Sequence, residues 1–309
     1  MATAKLHPEI ERVRHLAPDL ALDEAMIGAI RAAGLGAPVE LSDAVERTDH
    51  LIEGADGDPA VSVRVHRPRG VDRALPAIVQ IHGGGYVLGS NSMDDPRFDR
   101  WCDDLGVVGV SVDYRLSPEC AYPGPLEDCY AALAWAHANA GDLGIRSDRI
   151  GVGGVSAGGG LAAGLALLAR DRGEIPVAFQ VLECPMIDDR QITTSSQLDE
   201  LLVWSRESNT FGWRAYLGDL YGTDSIPHTA APARAEDLTG LPPTLVIVGG
   251  ADGFRDEDIT YALRLSQAGV ATALHVIPGA PHGVQMFAGT APAMQWDRLV
   301  NEWVREQVS

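Results

Sequence analysis

The run Gly153-Gly154-Val155-Ser156-Ala157-Gly158-Gly159-Gly160 constrains the fold more than any other stretch of the chain. Before it, Asp148 to Val152 reads as a short apolar strand. After it, Leu161, Leu165 and Leu168 recur at helical spacing in an alanine-rich run. A serine flanked by glycines at a strand-to-helix junction fits the nucleophile-elbow pattern G-x-S-x-G, here Gly154-x-Ser156-x-Gly158. Such a turn is too tight for side chains two residues either side of the serine, and it thrusts Oγ out of the top of the strand. The amide of Ala157 then lies at a helix N-terminus, where no backbone carbonyl claims it. Glycine-rich turns of this kind also bind dinucleotides, but G-x-G-x-x-G is not met. Read from Gly151 and Gly153, its third glycine falls on Ser156; read from Gly158 and Gly160, it falls on Ala163, where the chain is already helical.

Around this junction, strand and helix alternate. Pro8 to Gly34 carries two short helical stripes, Ile10-Val13-Leu16 and Met26-Ile27-Ile30, parted by Pro18 and ended by Gly34 and Gly36. Ala44 to Ile52 and Ala60 to His66 alternate apolar and polar residues, as two half-exposed antiparallel strands joined at Gly54 to Asp58 do. Ala74 to Ile81 is almost wholly apolar, the mark of a strand buried on both faces. Expected next are a helix (Asp94 to Leu105), a strand (Val107 to Val112), a helix (Leu126 to Ala140) and, past the elbow, a strand at Val177 to Leu182. A strand at Leu245 to Val248, a helix at Arg255 to Ala268, a strand at Ala273 to Ile277 and a helix at Ala293 to Val308 complete the chain. This order predicts an α/β fold: a mostly parallel sheet flanked by helices. The segment from Cys184-Pro185 to Gly240 breaks the alternation, with short helices expected at Leu198 to Trp204 and Thr210 to Tyr221.

A serine hydroxyl is a weak nucleophile until a base takes its proton and a third group orients that base. Downstream of Ser156, two strand ends offer those groups. Leu245 to Val248 runs into Gly249-Gly250-Ala251-Asp252, and Ala273 to Ile277 runs into Pro278-Gly279-Ala280-Pro281-His282-Gly283. The chain order Ser156, Asp252, His282 is the nucleophile-acid-base order that accompanies such an elbow. Asp256 is a rival for the acid, and an aspartate after a strand is often just a helix cap; the place of Asp252 directly off the strand, together with the elbow and the chain order, favours Asp252 as the acid. Upstream, His82-Gly83-Gly84-Gly85-Tyr86 leaves a buried strand with three successive glycines, whose bare amides let a ligand approach closely.

With 24 basic against 43 acidic residues, a net charge of −19 argues against nucleic acid and anionic membrane surfaces as partners. No apolar run reaches the length of a membrane span, and Met1 to Pro8 has no apolar signal core. Cys102, Cys120, Cys129 and Cys184 share no metal-ligand or C-x-x-C spacing, which reads as free thiols in a reducing cytoplasm, with no metal and no organic cofactor.

The chain resembles the hormone-sensitive-lipase-like family of α/β-hydrolase carboxylesterases, bacterial branch. The resemblance is carried by His82-Gly83-Gly84-Gly85-Tyr86, Asp113-Tyr114-Arg115-Leu116-Ser117-Pro118-Glu119, Gly154-Val155-Ser156-Ala157-Gly158-Gly159, Asp252 with Arg255-Asp256-Glu257, and Pro281-His282-Gly283. It implies the α/β-hydrolase fold in one domain, with a helical cap from about residues 1–40 and 186–224. It also implies a catalytic triad of Ser156, His282 and Asp252, with an oxyanion hole from the amides of Gly84, Gly85 and Ala157. His82, Gly83, Glu119 and Asp128 are expected to support the glycine loop, with an exposed loop carboxylate and a helix-face charge as the alternatives for Glu119 and Asp128. Tyr86, Trp204, Phe211 and Trp213, with Tyr216, Met26 and Leu35, are candidates to line a pocket or simply the underside of the cap. The expected substrate is a small carboxylic ester of short to medium acyl chain, and relatives imply a homodimer through the strand near Ala271 to Ile277. A receptor that kept the fold, or an amidase or peptidase on the same triad, are the alternatives; the presence of His282 counts against the receptor. Val155, Gly253-Phe254, Val284 and Ser117 depart from the family pattern, and none of them removes a catalytic group.

Overall fold

The computed structural model describes residues 5–18, 22–33, 40–55 and 57–309. Gly34, Leu35, Gly36 and Asp56, singled out above, lie outside the described residues. Eight strands form one sheet: β1 (Val45–Ile52), β2 (Val61–Pro68), β3 (Leu75–Ile81), β4 (Val108–Asp113), β5 (Ile145–Val155), β6 (Gln180–Glu183), β7 (Thr244–Gly249) and β8 (Thr272–Ile277). Their spatial order is β1-β2-β4-β3-β5-β6-β7-β8. β1 and β2 pair antiparallel, as do β2 and β4, and every later pairing is parallel. The elbow strand β5 is therefore central, and the strands leading to Asp252 and His282 follow it toward one edge.

The helices are α1 (Pro8–Val13), α2 (Glu24–Ala33), α3 (Asp95–Leu105), α4 (Gly124–Ala138), α5 (Ala157–Arg172), α6 (Arg206–Leu217), α7 (Arg255–Gln267) and α8 (Ala291–Val308). Alternate residues of β3 serve opposite sides of the sheet. Ala77, Val79 and Ile81 join the core with Leu126 and Leu133 of α4 and Leu161 and Leu165 of α5, whereas Ile78 joins Phe98 and Trp101 of α3 and Trp296 and Val300 of α8. Every side chain of β3 is buried, as an almost unbroken apolar strand demands.

Two expectations are corrected. The strand expected from Val177 begins at Gln180. Among the described residues, the backbone of Ala178 and Phe179 bonds only to β5, and two-sided pairing starts where the Gln180 amide donates to the Pro243 carbonyl at the foot of β7. Leu198 to Trp204 is not helical: Glu200 and Val203 have φ of 56° and 73°, outside the right-handed helical region. The helix comes later, as α6, started by Ser205, whose side chain accepts from the Ser208 amide. The N-terminal segment meets α6 there, the Leu22 amide donating to Ser208 Oγ at 3.2 Å.

Candidate active site

The elbow is built by steric exclusion. A Cβ on Gly154 would lie 2.1 Å from the Gly158 carbonyl oxygen, and one on Gly158 would lie 2.0 Å from the Ile81 carbonyl oxygen. Between them Ser156 is held at φ 58°, ψ −121°, a conformation non-glycine residues rarely adopt. The end of β6 and the loop after it hold it there. The Ser156 amide donates to the Glu183 carbonyl at 2.8 Å, and the Ser156 carbonyl accepts from Met186 at 2.9 Å.

Asp252 follows β7 and His282 follows β8, and the two loops are stitched together. The Gly250 amide donates to Ile277 at 2.8 Å and the Ala251 amide to Ala280 at 2.9 Å. The result is a linear relay: His282 Nε2 lies 2.8 Å from Ser156 Oγ, and His282 Nδ1 lies 2.8 Å from Asp252 Oδ2. All three residues are buried. Burial alone would push the imidazole down, but the charge of Asp252 and the bonding around the ring outweigh it and hold His282 well above the usual histidine range. Asp256 is directed elsewhere, accepting from the Ser195 amide and from Arg255 Nε at 2.8 Å each.

Gly84 and Gly85 have φ of 120° and 62°. Among the described residues, no group accepts from the amides of Gly84, Gly85 or Ala157, so all three remain available to a ligand. A Cβ on Gly83 would come 3.5 Å from the Ser156 Cβ, which sets the loop flush against the serine. A Cβ on Gly85 would fall 2.1 Å from the tip of the Trp204 ring, so the bare backbone is what lets Trp204 close over the loop. Trp204 also sits 6.3 Å from the His282 ring, centroid to centroid.

His82 underlies the loop. Its Nδ1 donates to the Gly83 carbonyl at 2.8 Å and its ring stacks on Tyr114 at 4.2 Å. Burial pushes its pKa down to about 4, so it is neutral near pH 7 and places no charge beside the glycines. Glu119 reaches the loop through Arg31, which sequence reasoning missed. Arg31 bonds Glu119 at 2.7 Å and donates to the carbonyls of Val87 and Ser117 at 2.8 and 2.7 Å. Asp128 is no exposed helix-face charge: it is fully buried and accepts from the Arg115 amide and guanidinium. Tyr86 and Trp213 are fully buried in an aromatic stack with Tyr216, and Tyr86 Oη donates to the Met186 carbonyl at 2.8 Å. Phe211 is partly buried against the same core, and Met26 is exposed on α2.

Two further groups could not be read from the sequence. Phe254 sets its ring edge-on to His282 at 5.0 Å. Glu183, fully buried at the end of β6, accepts from Trp296 Nε1 at 2.7 Å and from Gln285 Nε2 at 3.1 Å, and pairs with Arg97. Because Gln285 lies three residues past His282, this carboxylate ties the histidine loop to the strand beside the serine.

A family model described as alpha/beta hydrolase fold matches residues 78–286. Carboxylesterase NlhH of Mycobacterium tuberculosis is 36% identical over 276 residues, covering 88% of this chain and 86% of that protein. Ethyl acetate hydrolase of Pseudomonas putida is 31% identical over 292 residues, covering 86% and 91%. The solved structure of a bacterial heroin esterase superposes with a TM-score of 0.92 at 41% identity, covering 99% of this chain and 98% of that one. By sequence, by fold and by the strand ends that carry its serine, aspartate and histidine, this chain belongs to the α/β-hydrolase family.

Proposed function

We propose that the protein is a carboxylesterase that hydrolyses short- to medium-chain carboxylic esters through a covalent acyl-enzyme. The observation that carries this reading is the relay Ser156 Oγ–His282 Nε2–Nδ1–Asp252 Oδ2, with both gaps at 2.8 Å. In the first half-reaction His282 takes the Ser156 proton as Oγ attacks the ester carbonyl, and the imidazolium forms against the Asp252 carboxylate. The amides of Gly84, Gly85 and Ala157 receive the oxyanion, each such donor being worth about 2.7–4 kcal/mol of barrier in comparable sites. The imidazolium returns its proton to the departing alcohol. Water, deprotonated by the same nitrogen, then releases the acid and restores the serine.

Preference for small esters is supported by the Trp204 ring, which closes over Gly85 of the glycine loop and lies beside His282. The segment with α2 and the segment with α6, which meet at Ser208, are the parts we assign to the cap. Among the described residues no helix is long and apolar enough to cross a membrane. Four unpaired cysteines support a reducing, cytoplasmic setting. A homodimer is supported by β8, whose edge position leaves Leu274 and Val276 exposed.

The direct experiment is hydrolysis of p-nitrophenyl acetate or butyrate set beside the matching p-nitroanilides, followed by mapping a serine-reactive phosphonate by mass spectrometry. The reading expects fast ester turnover, little anilide turnover, and the label on Ser156. A label on any other residue would refute it.

Its pH dependence follows from the sign of the His282 shift. The base form is needed and its pKa is raised, so kcat/KM is high on the alkaline side and falls as pH drops through that value. The acid limb of the rate profile is therefore expected above the ordinary histidine value of about 6.5. A rate that kept rising toward pH 4 would rule out a histidine base.

A further inference from the structure

Behind the catalytic pair lies a thiol with no part in the hydrolytic scheme. Cys184, the first residue after β6, is fully buried and unpaired. One donor atom from each of Cys184, Asp252 and His282 lies within 4.8 Å of the other two. The thiol is firmly placed. Its amide donates to the Ile247 carbonyl at 2.7 Å, Pro185 follows, and the next amide, of Met186, donates to the Ser156 carbonyl at 2.9 Å. Its backbone is held at φ 37°, a left-handed conformation that costs a non-glycine residue on the order of 1–3 kcal/mol. On the adjoining helix Asp258 is fully buried, and among the described residues neither of its carboxyl oxygens has a partner.

We propose that Cys184, Asp252 and His282 form a binding site for a borderline-soft divalent cation, zinc or cadmium, and that filling it disables the hydrolase. The donor set fits such ions: one thiolate, one carboxylate and one imidazole, as in tetrahedral sites that keep a fourth position for water. Metal bonds of about 2.0–2.3 Å hold their donors roughly 3.3–3.7 Å apart. The present cluster reaches that spacing by side-chain adjustment, with the 2.8 Å His282–Asp252 contact opening and the thiol closing in. Charge also balances. A dication, a thiolate, a carboxylate and a neutral imidazole sum to zero, which a buried site tolerates far better than a lone charge. A small cavity lined by Leu201, Trp204, Asn209, Gly253 and Phe254 borders Asp252 on one side of the cluster.

The proton count gives the consequence. Coordination releases the thiol proton to solvent and places the metal on Nδ1, the nitrogen facing Asp252. The imidazole keeps its single proton, which moves to Nε2, the nitrogen facing Ser156. Nε2 then has no lone pair to accept from the serine, and the base is gone. This loss of activity rests on the reading of His282 as the base; the binding of the ion does not.

Cadmium titration tests both, because cadmium-thiolate bonds absorb in the ultraviolet without any turnover. The expected result is a charge-transfer band saturating at one equivalent per chain, with ester hydrolysis falling in parallel. In Cys184→Ser the band disappears, and the concentration that halves each variant's own uninhibited rate rises more than about 10-fold, a loss comparable to that seen when a metal ligand's outer partner is removed. In Cys120→Ser, which removes the partly exposed thiol, band and inhibition persist. A band that survives Cys184→Ser, or is lost in Cys120→Ser, overturns the site. A band that forms on Cys184 while ester hydrolysis continues unchanged leaves the site standing and overturns the base assignment.

Discussion

Replacing Ser156 with alanine is expected to lower kcat for a short p-nitrophenyl ester by on the order of 10⁴–10⁶-fold, with KM changed little. The hydroxyl is the atom that makes and breaks the acyl bond, so its loss removes the covalent route. The residual rate is what an oxyanion hole and binding supply alone. The substitution spares the fold: the strained φ of 58° is set by Gly154, Gly158 and the bonds from Ser156 to Glu183 and Met186, all through the backbone. A melting temperature within a few degrees of wild type is therefore part of the prediction. His282→Ala should cost about as much, and the double variant no more than either, because nucleophile and base act as one unit. Folded Ser156→Ala retaining a tenth of wild-type activity would end the acyl-enzyme reading.

What could be read from the sequence was whatever is local. The elbow is legible because its glycines are demanded by atoms within a few residues or on the adjacent strand, and because β5 and α5 announce themselves by pattern. The acid and the base are legible because each leaves the end of a short apolar strand in a fixed order. The segment from Leu198 to Trp204 has a helical spacing but is not a helix, for a complementary reason. Its conformation answers to Gly85, far away in the chain, against which the Trp204 ring closes, and no local spacing records that contact. Cys184 was equally hidden. Its nearness to Asp252 and His282 arises only because β6, β7 and β8 lie side by side and end together. Glu119 could be suspected, but its partner Arg31 sits on a helix whose docking follows from tertiary packing. Asp128 is the same case, its burial beneath Arg115 being a product of the fold.

Asp252→Asn should lower kcat by about 10⁴-fold, the scale found when a triad acid is made neutral without changing its shape. The geometry says why an isostere fails. Asp252 Oδ1 accepts from the Phe254 amide at 3.0 Å, while Oδ2 faces His282 Nδ1. An asparagine must keep its oxygen toward that amide, so its NH₂ group turns to the imidazole. Nδ1 is then forced to accept, the ring proton moves to Nε2, and His282 presents a donor to Ser156 where a base is required. The imidazolium formed during attack also loses its counter-charge, so the pKa held up by Asp252 falls and the acid limb of the rate profile shifts down. Asp256→Asn is the discriminating partner. That carboxylate bonds Ser195 and Arg255 at the start of α7 and makes no bond to the ring. It should cost less than about 10-fold in kcat and leave the acid limb in place, its effect confined to stability of roughly 1–3 kcal/mol. If Asp256→Asn abolished turnover while Asp252→Asn spared it, the acid would have been assigned to the wrong side chain, and the tautomer argument for both the relay and the metal site would fall with it.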